Sequence, residues 1–274
     1  MNLPYNRPRK SLDLKTPIEV FIEQSVTLNS RFQDVMKTFI KNLLRRTGRE
    51  FRIVDAPTRS FSRGMEILRE VITPETIIDI GVASGTPELY KHFNSQSYLL
   101  IEANPAFKPD LLLIKSQLNA VFENVFCGSE RGQTLLKIYS DPRKSSVFEI
   151  TREMKQVEEI QVPVERLDSL VQKHNLEPPY LIKIDVEGAE IEVIKGAEST
   201  LAQTQAVVAE ASVLPKYKGG PELADLVVLM YEKGFSVFDI LAGTNHPNGN
   251  YLYQVDLVFV KTGAKFRNLI RKIN

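Results

Sequence analysis

The 274-residue chain contains almost no cysteine and little histidine. Its one cysteine, Cys127, excludes an internal disulfide bond and is typical of a protein in a reducing compartment. The three histidines are His92, His174 and His246, and none has a partner at the spacing of zinc ligands. We therefore predict no zinc site.

The chain also lacks an excess of either charge and a long apolar run. Lysine and arginine number 35 against 34 acidic residues, and this net charge of +1 argues against a protein that mainly binds nucleic acid. No run approaches the roughly 18 apolar residues needed to span a bilayer. Residues 1–15 lack the apolar core of a secretory signal. We expect a cytoplasmic protein with no nucleic-acid partner and no stable membrane insertion.

Apolar strand-like runs alternate with helical patterns between residues 71 and 262. This alternation predicts an α/β domain with a doubly wound, mainly parallel sheet. Two late strands, 235–241 and 255–261, are joined by a loop without a helix, so we predict an antiparallel pair at one edge. A polar segment over 141–146 is predicted to be an exposed loop, and 189–201 a single helix.

The remaining residues are predicted to form an extension and a tail. Residues 1–70 have a polar arm and then apolar residues at helical spacing over 17–44, which predict a helical extension. That helix would pack on the domain or form a homodimer contact; because Arg45, Arg46 and Arg49 follow it, a surface for an anionic substrate or a membrane face is the alternative. Residues 263–274 form a basic tail, which we expect to be solvated, although a short amphipathic helix on an anionic membrane is the alternative.

The most informative stretch of the first half is TIIDIGVASG, residues 76–85. It predicts a buried strand, a tight glycine turn and a helix start, and Gly81 and Gly85 would let a ligand approach the backbone. Asp79 stands before the first glycine, where a carboxylate repels a pyrophosphate and suits a cationic or hydroxyl-bearing ligand. S-adenosylmethionine is such a ligand, because it carries an ammonium and a sulfonium but no phosphate.

Glu102 ends the second predicted strand, about 20 residues after the turn. An acid at this place can accept hydrogen bonds from both hydroxyls of a ribose. The contact is common to nicotinamide and S-adenosylmethionine enzymes, so it predicts a nucleoside without separating the two.

The stretch LIKIDVEGAEIEVIKGA places Lys183, Asp185, Glu187, Gly188 and Glu190 within eight positions. Alternation along a strand puts Lys183 and Asp185 on one face, and a carboxylate at the strand end can orient or deprotonate a hydroxyl. We predict Asp185 as the general base, with Glu187 or Glu210 as alternates and Lys183 opposing the carboxylate charges. Helix capping by these acids is the competing explanation; a divalent-metal site is a weaker one, and we predict no metal.

Together DIGVASG, IEANP, VFCGSERG and IKIDVEGAEIEVIKGA resemble the FkbM family of S-adenosylmethionine-dependent methyltransferases over about residues 76–261. The resemblance implies a Rossmann-like class I methyltransferase fold with a mostly parallel seven-stranded sheet and an antiparallel edge strand. It also implies O-methylation of a hydroxyl on a sugar, a glycan or another small metabolite. The cofactor residues it implies are Asp79, Gly81, Val82, Ser84, Gly85, Glu102, Asn104 and Cys127.

Two other functions remain open at this point. A nicotinamide oxidoreductase would need a third glycine where Glu88 stands. A non-catalytic scaffold with a methyltransferase fold also stays open, because Val82-Ala83 replaces the Ala-Asn usual in the family. Titration with S-adenosylhomocysteine and with NAD(H) would separate the three functions.

Overall fold

We describe the protein from a computed structural model. The predicted arm, the helical segment over 17–44 with its dimer contact, and the last six residues of the predicted tail lie outside the described residues. The residues that the structure describes are 60–151, 153–246, 249 and 251–268.

The described residues form ten strands and seven α-helices. The strands are β1 Thr76–Ile80, β2 Ser97–Ile101, β3 Ala120–Glu123, β4 Phe126–Cys127, β5 Gly132–Tyr139, β6 Gln156–Glu165, β7 Tyr180–Ile184, β8 Thr204–Ser212, β9 Phe235–Asn245 and β10 Leu252–Lys261. The helices are α1 Phe61–Val71, α2 Pro87–His92, α3 Lys108–Gln117, α4 Leu167–Lys173, α5 Glu190–Lys195, α6 Glu198–Ala202 and α7 Leu223–Glu232. None of these helices combines the length and the apolar character needed to cross a membrane.

Seven strands form the main sheet in the order β3-β2-β1-β7-β8-β10-β9. Five neighbouring strands, β3, β2, β1, β7 and β8, are mutually parallel, whereas β10 runs antiparallel to both of its neighbours, β8 and β9. The predicted Rossmann-like fold class is confirmed, as is the antiparallel pair at one edge. Of that pair, β10 is the inner strand and β9 is the edge strand of the sheet.

Helices cover both faces of this sheet. The helices α1, α2 and α3 pack on one face around Met65, Leu89 and Leu111, and α4 to α7 pack on the other face around Leu170 and Val193. Every residue of β1 and β7 is therefore buried, which explains why both read as continuous apolar runs.

A second, three-stranded sheet has the order β4-β6-β5 and follows β3 in the chain. The strand predicted over 161–166 is the end of a ten-residue strand, β6. The exposed loop predicted over 141–146 is exposed at Pro142 and Arg143, but the prediction was wrong for the end of the segment, since Ser146 is buried. Ser146 pairs with Lys137 of β5 and donates its hydroxyl to the carbonyl oxygen of Glu187 over 2.7 Å, so the segment is drawn onto the main sheet.

The single helix predicted over 189–201 was also wrong, because the chain forms α5 and α6 with a break at Gly196. A Cβ at Gly196 would lie 2.1 Å from the carbonyl oxygen of Gly128, so the break sits where two backbones touch. The carboxylate of Asp168 accepts hydrogen bonds from the amides of Ser199 and Thr200 and caps the second helix.

The turn after β1 is fixed by Gly81. Its φ is +78°, and its amide donates to the carbonyl oxygen of Ile101 over 2.9 Å. A Cβ built on Gly81 would lie 1.7 Å from the carbonyl oxygen of Asp185, at the end of β7. The first glycine of the turn is thus required both by its own backbone conformation and by the neighbouring strand.

We predict that Gly81→Ala destabilises the protein more than Gly234→Ala does. Gly234 has nearly the same φ, +80°, but no atom lies within 4 Å of a Cβ placed there. The control should therefore carry only the left-handed strain of about 1–2 kcal/mol, which lowers the melting temperature by roughly 2–8 °C in a protein of this size. Thermal unfolding measures both variants. Equal losses would mean that the Asp185 carbonyl moves aside and that the clash does not constrain this turn.

Candidate active site

A cavity of about 530 Å³ opens at the carboxyl ends of β1, β2 and β7. The glycine turn after β1 forms one wall, and the residues that follow β7 form another. The segment containing Pro142 and Ser145, which follows β5, also lines it. Acidic side chains outnumber basic ones in this lining. The charged residues that line the cavity are Glu88, Glu102, Asp185, Glu187, Asp256, Arg143, Lys144 and Lys183.

Nine of the twelve residues predicted for the site line this cavity. They are Gly81, Val82, Ser84, Gly85, Glu102, Cys127, Lys183, Asp185 and Glu187. The other three, Asp79, Asn104 and Glu210, are buried and do not line the cavity.

Glu102 joins the end of β2 to the glycine turn. One carboxylate oxygen, Oε2, accepts a hydrogen bond from the amide of Ala83 over 2.8 Å, and Oε1 accepts one from the amide of Asn104 over 2.7 Å. Burial raises the pKa of Glu102, and these two amides oppose the rise. The carboxylate is thus fixed in place, with lone pairs that remain available on the cavity side.

Asn104 organises the chain that follows Glu102. Its Oδ1 accepts from the amide of Ala106 over 3.0 Å and caps a 3₁₀ turn, while its Nδ2 donates to Oγ of Ser145 over 3.1 Å. Asn104 therefore connects the end of β2 with the segment after β5 that lines the opposite side of the cavity.

Asp79 lies beneath the cavity and is completely buried. Its Oδ2 accepts a hydrogen bond from the hydroxyl of Tyr90 over 2.7 Å, and Nζ of Lys183 lies 3.4 Å from its Oδ1. Burial opposes the charge of Lys183, but Asp79 and Asp185 outweigh it and raise the pKa of Lys183. Asp79 therefore compensates a buried ammonium group that in turn reaches the cavity.

The strand register brings three acids to one level of the sheet. Ile184 of β7 pairs with Ala209 of β8, so Asp185 follows at the level of Glu210, and Glu210 pairs with Asp256 of β10. Side chains in register share a face. Lys183 and Asp185 also share a face, as predicted, and Nζ of Lys183 lies 3.4 Å from Oδ2 of Asp185.

Glu187 adopts a left-handed backbone conformation, with φ +53°. Its carboxylate receives Nζ of Lys144 at 2.5 Å, Nζ of Lys216 at 2.7 Å and the hydroxyl of Tyr217. Burial would raise the pKa of Glu187, but Lys216 and Lys144 outweigh it and lower the value. Glu187 is consequently an ionised and firmly held carboxylate.

Lys216 lies at the centre of this charge cluster and is almost fully buried, with 2% of its surface exposed. Besides Glu187, its ammonium contacts Oε1 of Glu210 at 2.7 Å and Oε1 of Gln254 at 2.9 Å. Burial opposes the charge of Lys216, but Glu210 and Glu187 outweigh it and raise its pKa. Burial and then Asp185 raise the pKa of Glu210 to about 8.

The acids could in principle hold a metal ion. One oxygen each from Asp185, Glu187 and Glu210 lies within 4.8 Å of the others. The ammonium of Lys216 already contacts two of the three carboxylates. The cluster therefore contains its own cation.

Two other groups at the site are shifted mainly by burial. Burial raises the pKa of the Cys127 thiol to about 12, so the thiol is protonated at neutral pH and is not a nucleophile. Burial raises the pKa of Glu190 to about 7, although its carboxylate accepts a hydrogen bond from the amide of Gly188.

Four residues of the site were not predicted from the sequence: Lys144, Lys216, Tyr217 and Asp256. Lys144 belongs to a segment whose polar composition predicted exposure, and Lys216 and Tyr217 lie in a Gly- and Pro-containing stretch without a motif. Asp256 did carry a signal, because a lone acid inside the apolar strand YQVDLVFV needs a polar surrounding.

Residues 79–237, more than half of the chain, match the family model of the methyltransferase FkbM domain. No curated protein sequence matches the chain significantly. The chain is similar to a solved precorrin-6y C5,15-methyltransferase from Geobacter metallireducens GS-15, at 12% identity and a TM-score of 0.39, over 73% of this chain and 87% of that chain.

Two further solved structures show the same low level of similarity. One is a magnesium protoporphyrin IX methyltransferase from Synechocystis PCC 6803, at 12% identity and a TM-score of 0.40, over 82% of this chain and 97% of that one. The other is a TehB-like S-adenosylmethionine-dependent methyltransferase from Corynebacterium glutamicum ATCC 13032, at 12% identity and a TM-score of 0.37, over 85% and 100%.

We predict that Lys216→Met costs about 3–5 kcal/mol of unfolding free energy at neutral pH, because it removes the buried cation that the ionised Glu187 carboxylate contacts at 2.7 Å. The matched control is Lys218→Met. Lys218 pairs with Glu149 at 2.6 Å, but both side chains are more than half exposed, so its loss should cost about 1 kcal/mol or less. Urea unfolding measures both variants.

The loss of unfolding free energy caused by Lys216→Met should become smaller as the pH falls. A carboxylate with a lowered folded pKa, such as Glu187, stabilises the protein above its usual pKa and loses this contribution as the pH falls through the folded value. The contribution that the variant lacks at neutral pH is therefore lost in the wild type at low pH too. Equal costs for the two lysine variants at pH 7 would contradict the assignment of Lys216 as the central cation.

Proposed function

Because this chain belongs to the methyltransferase FkbM domain family, we propose that it transfers a methyl group to a hydroxyl oxygen of a sugar, a glycan or another small metabolite. The methyltransferase activity and the cofactor S-adenosylmethionine follow from the family. The acceptor class and the O-methylation are our proposal. The observation that carries it is the row of carboxylates beside the glycine turn, in one cavity.

The charges of the cavity fit a cationic cofactor. Each basic side chain in the lining is already bonded to an acid, with Arg143 on Asp141 at 2.9 Å, Lys144 on Glu187 and Lys183 between Asp79 and Asp185. Acids of the protein already neutralise these cations, so the cations are not available to bind a phosphate. Glu102 and the acids beyond it leave the cavity with an excess of negative charge, which favours an ammonium and a sulfonium.

We assign the residues that would hold S-adenosylmethionine by their place in this lining. Glu102 would accept the ribose hydroxyls, and the backbone from Gly81 to Gly85 would lie against the cofactor, with Val82 and Ser84 at the surface of the turn. Cys127 would contribute an apolar contact. Asn104 would act indirectly, because it positions Glu102 through its amide.

When bound, S-adenosylmethionine supplies an electrophilic methyl group, so the protein has mainly to orient the acceptor oxygen. Asp185 is the residue we propose to contact the acceptor hydroxyl. It lines the cavity, it is partly exposed, and Lys183 at 3.4 Å leaves its carboxylate loosely held. Glu187 and Glu210 are held by Lys216, so we propose that they position the site. General-base assistance typically contributes about 10²–10⁴-fold to the rate.

A nicotinamide coenzyme fits the same cavity less well. Glu88 is an exposed acid in the first turn of α2 and lines the cavity where a pyrophosphate would lie against the helix. A negative charge at this place opposes a diphosphate. The family membership and this charge both favour the methyl donor.

We predict that S-adenosylhomocysteine binds the protein in calorimetry and that NAD(H) does not. Glu102→Gln should weaken S-adenosylhomocysteine by at least about tenfold, because a charge-assisted hydrogen bond to a ribose hydroxyl contributes about 1.5–3 kcal/mol. Glu88→Gln is the matched control, since Glu88 lines the cavity as an exposed side chain, and it should stay within about twofold.

A screen of nucleotide sugars and glycans for methyl acceptance then tests the acceptor class. Failure of the wild type to bind S-adenosylhomocysteine would support the scaffold function. Binding with transfer only to non-hydroxyl acceptors would contradict O-methylation and leave the methyltransferase activity intact.

A further inference from the structure

Asp256 differs in its contacts from Glu102, Asp185 and Glu187, the other acids of the cavity whose side chains are buried or half-buried. It lies on β10 at the level of Glu210 and lines the cavity, yet its carboxylate has no hydrogen bond or ion pair within the described part of the chain. Glu102 is held by two amides and Glu187 by two lysines and a tyrosine. A half-buried carboxylate without a partner, facing a cavity, is a group that a ligand can engage.

Asp185 has a cation beside it, and Asp256 has none in bonding contact. Nζ of Lys183 lies 3.4 Å from Oδ2 of Asp185 and holds that carboxylate on one side of the cavity. The charges of Lys183 and Asp185 act on Asp256 only at longer range. Its own burial and the charge of Asp185 both favour the protonated form of Asp256.

We propose that Asp256 is a catalytic residue that receives the hydroxyl proton of the methyl acceptor, while Asp185 orients the same hydroxyl; this rests on the proposed function. The acceptor oxygen forms a bond to the methyl carbon, and the bond from that carbon to sulfur breaks with its electron pair going to sulfur. The hydroxyl proton goes to the carboxylate of Asp256. Sulfur thereby loses its positive charge, and Asp256 loses its negative charge.

The surroundings of Asp256 suit this task. Burial first, and the charge of Asp185 second, raise the pKa of Asp256 to about 6, near the value at which a general base is both ionised and effective at neutral pH. The charged groups that face it come from β7, β8 and the segments after β5 and β8. They are Lys183, Asp185, Glu210, Lys144 and Lys216.

Sinefungin tests the proposal without an identified acceptor. This analogue of S-adenosylhomocysteine carries a C–NH₃⁺ group where the cofactor carries S⁺–CH₃, so its ammonium marks the region into which the acceptor hydroxyl must enter. The measured quantity is the ratio of the affinities for sinefungin and S-adenosylhomocysteine, obtained by calorimetry. The ratio isolates the contribution of the ammonium from that of the shared adenosyl part.

We expect Asp256→Asn to lower this ratio at least about tenfold at pH 7.5 while S-adenosylhomocysteine stays within about twofold of the wild type. In the wild type the ratio should fall as the pH drops through about 6, because Asp256 becomes neutral. The asparagine variant should lose this transition. Asp185→Asn should keep it, since the titrating group remains. Glu130→Gln, at an exposed acid outside the cavity lining, should leave the ratio within about twofold as a control for general charge.

Two results would overturn the assignment. One is a ratio for Asp256→Asn within twofold of the wild type, and the other is a pH transition that survives in this variant and disappears in Asp185→Asn, which would make Asp185 the proton acceptor. If the wild type binds neither compound, the proposed function fails instead. Retained S-adenosylhomocysteine binding in Asp256→Asn shows that the variant is folded.

Discussion

Two buried ammonium groups make the acidic end of this sheet possible. Lys183 lies between Asp79 and the first acid after β7, and Lys216 lies between Glu187 and Glu210. Removing one ion from water costs several kcal/mol even after relaxation, so a row of buried carboxylates without cations would be neutral or unfolded. Because each lysine contacts two acids, the protein concentrates carboxylates around a cavity while Asp256 lines that cavity without a bonded cation.

The two ends of the cavity are mechanically connected through the segment after β5. Glu102, on the side of the glycine turn, is bonded to the amide of Asn104, and the side chain of Asn104 donates to Ser145. The preceding residue, Lys144, is bonded to Glu187 on the side of the acids. These contacts fix the distance between the part of the cavity beside Glu102 and the part beside Glu187.

The parts that could be predicted from the sequence are those encoded by neighbouring residues. Alternation along one strand was enough to place Lys183 and Asp185 on a common face, and the glycine spacing was enough for the turn. The role of Asp256 depends on the register of an antiparallel strand that follows a long excursion of the chain, which no local pattern encodes. Lys216 reaches the site from a loop by the length of its side chain, and Ser146 is buried because it binds a distant carbonyl.

The strained backbone of Glu187 is connected with the pairing of its carboxylate to buried lysines. A non-glycine residue at φ +53° costs about 1–3 kcal/mol, and such strain persists only when the surrounding contacts determine it. Lys144, Lys216 and Tyr217 bind the side chain, and Ser146 binds the carbonyl oxygen, so four contacts hold one residue in this conformation. A glycine would relieve the strain but would remove the carboxylate that both lysines neutralise. The strain is therefore the cost of directing this acid toward the two lysines, which favour its ionised form.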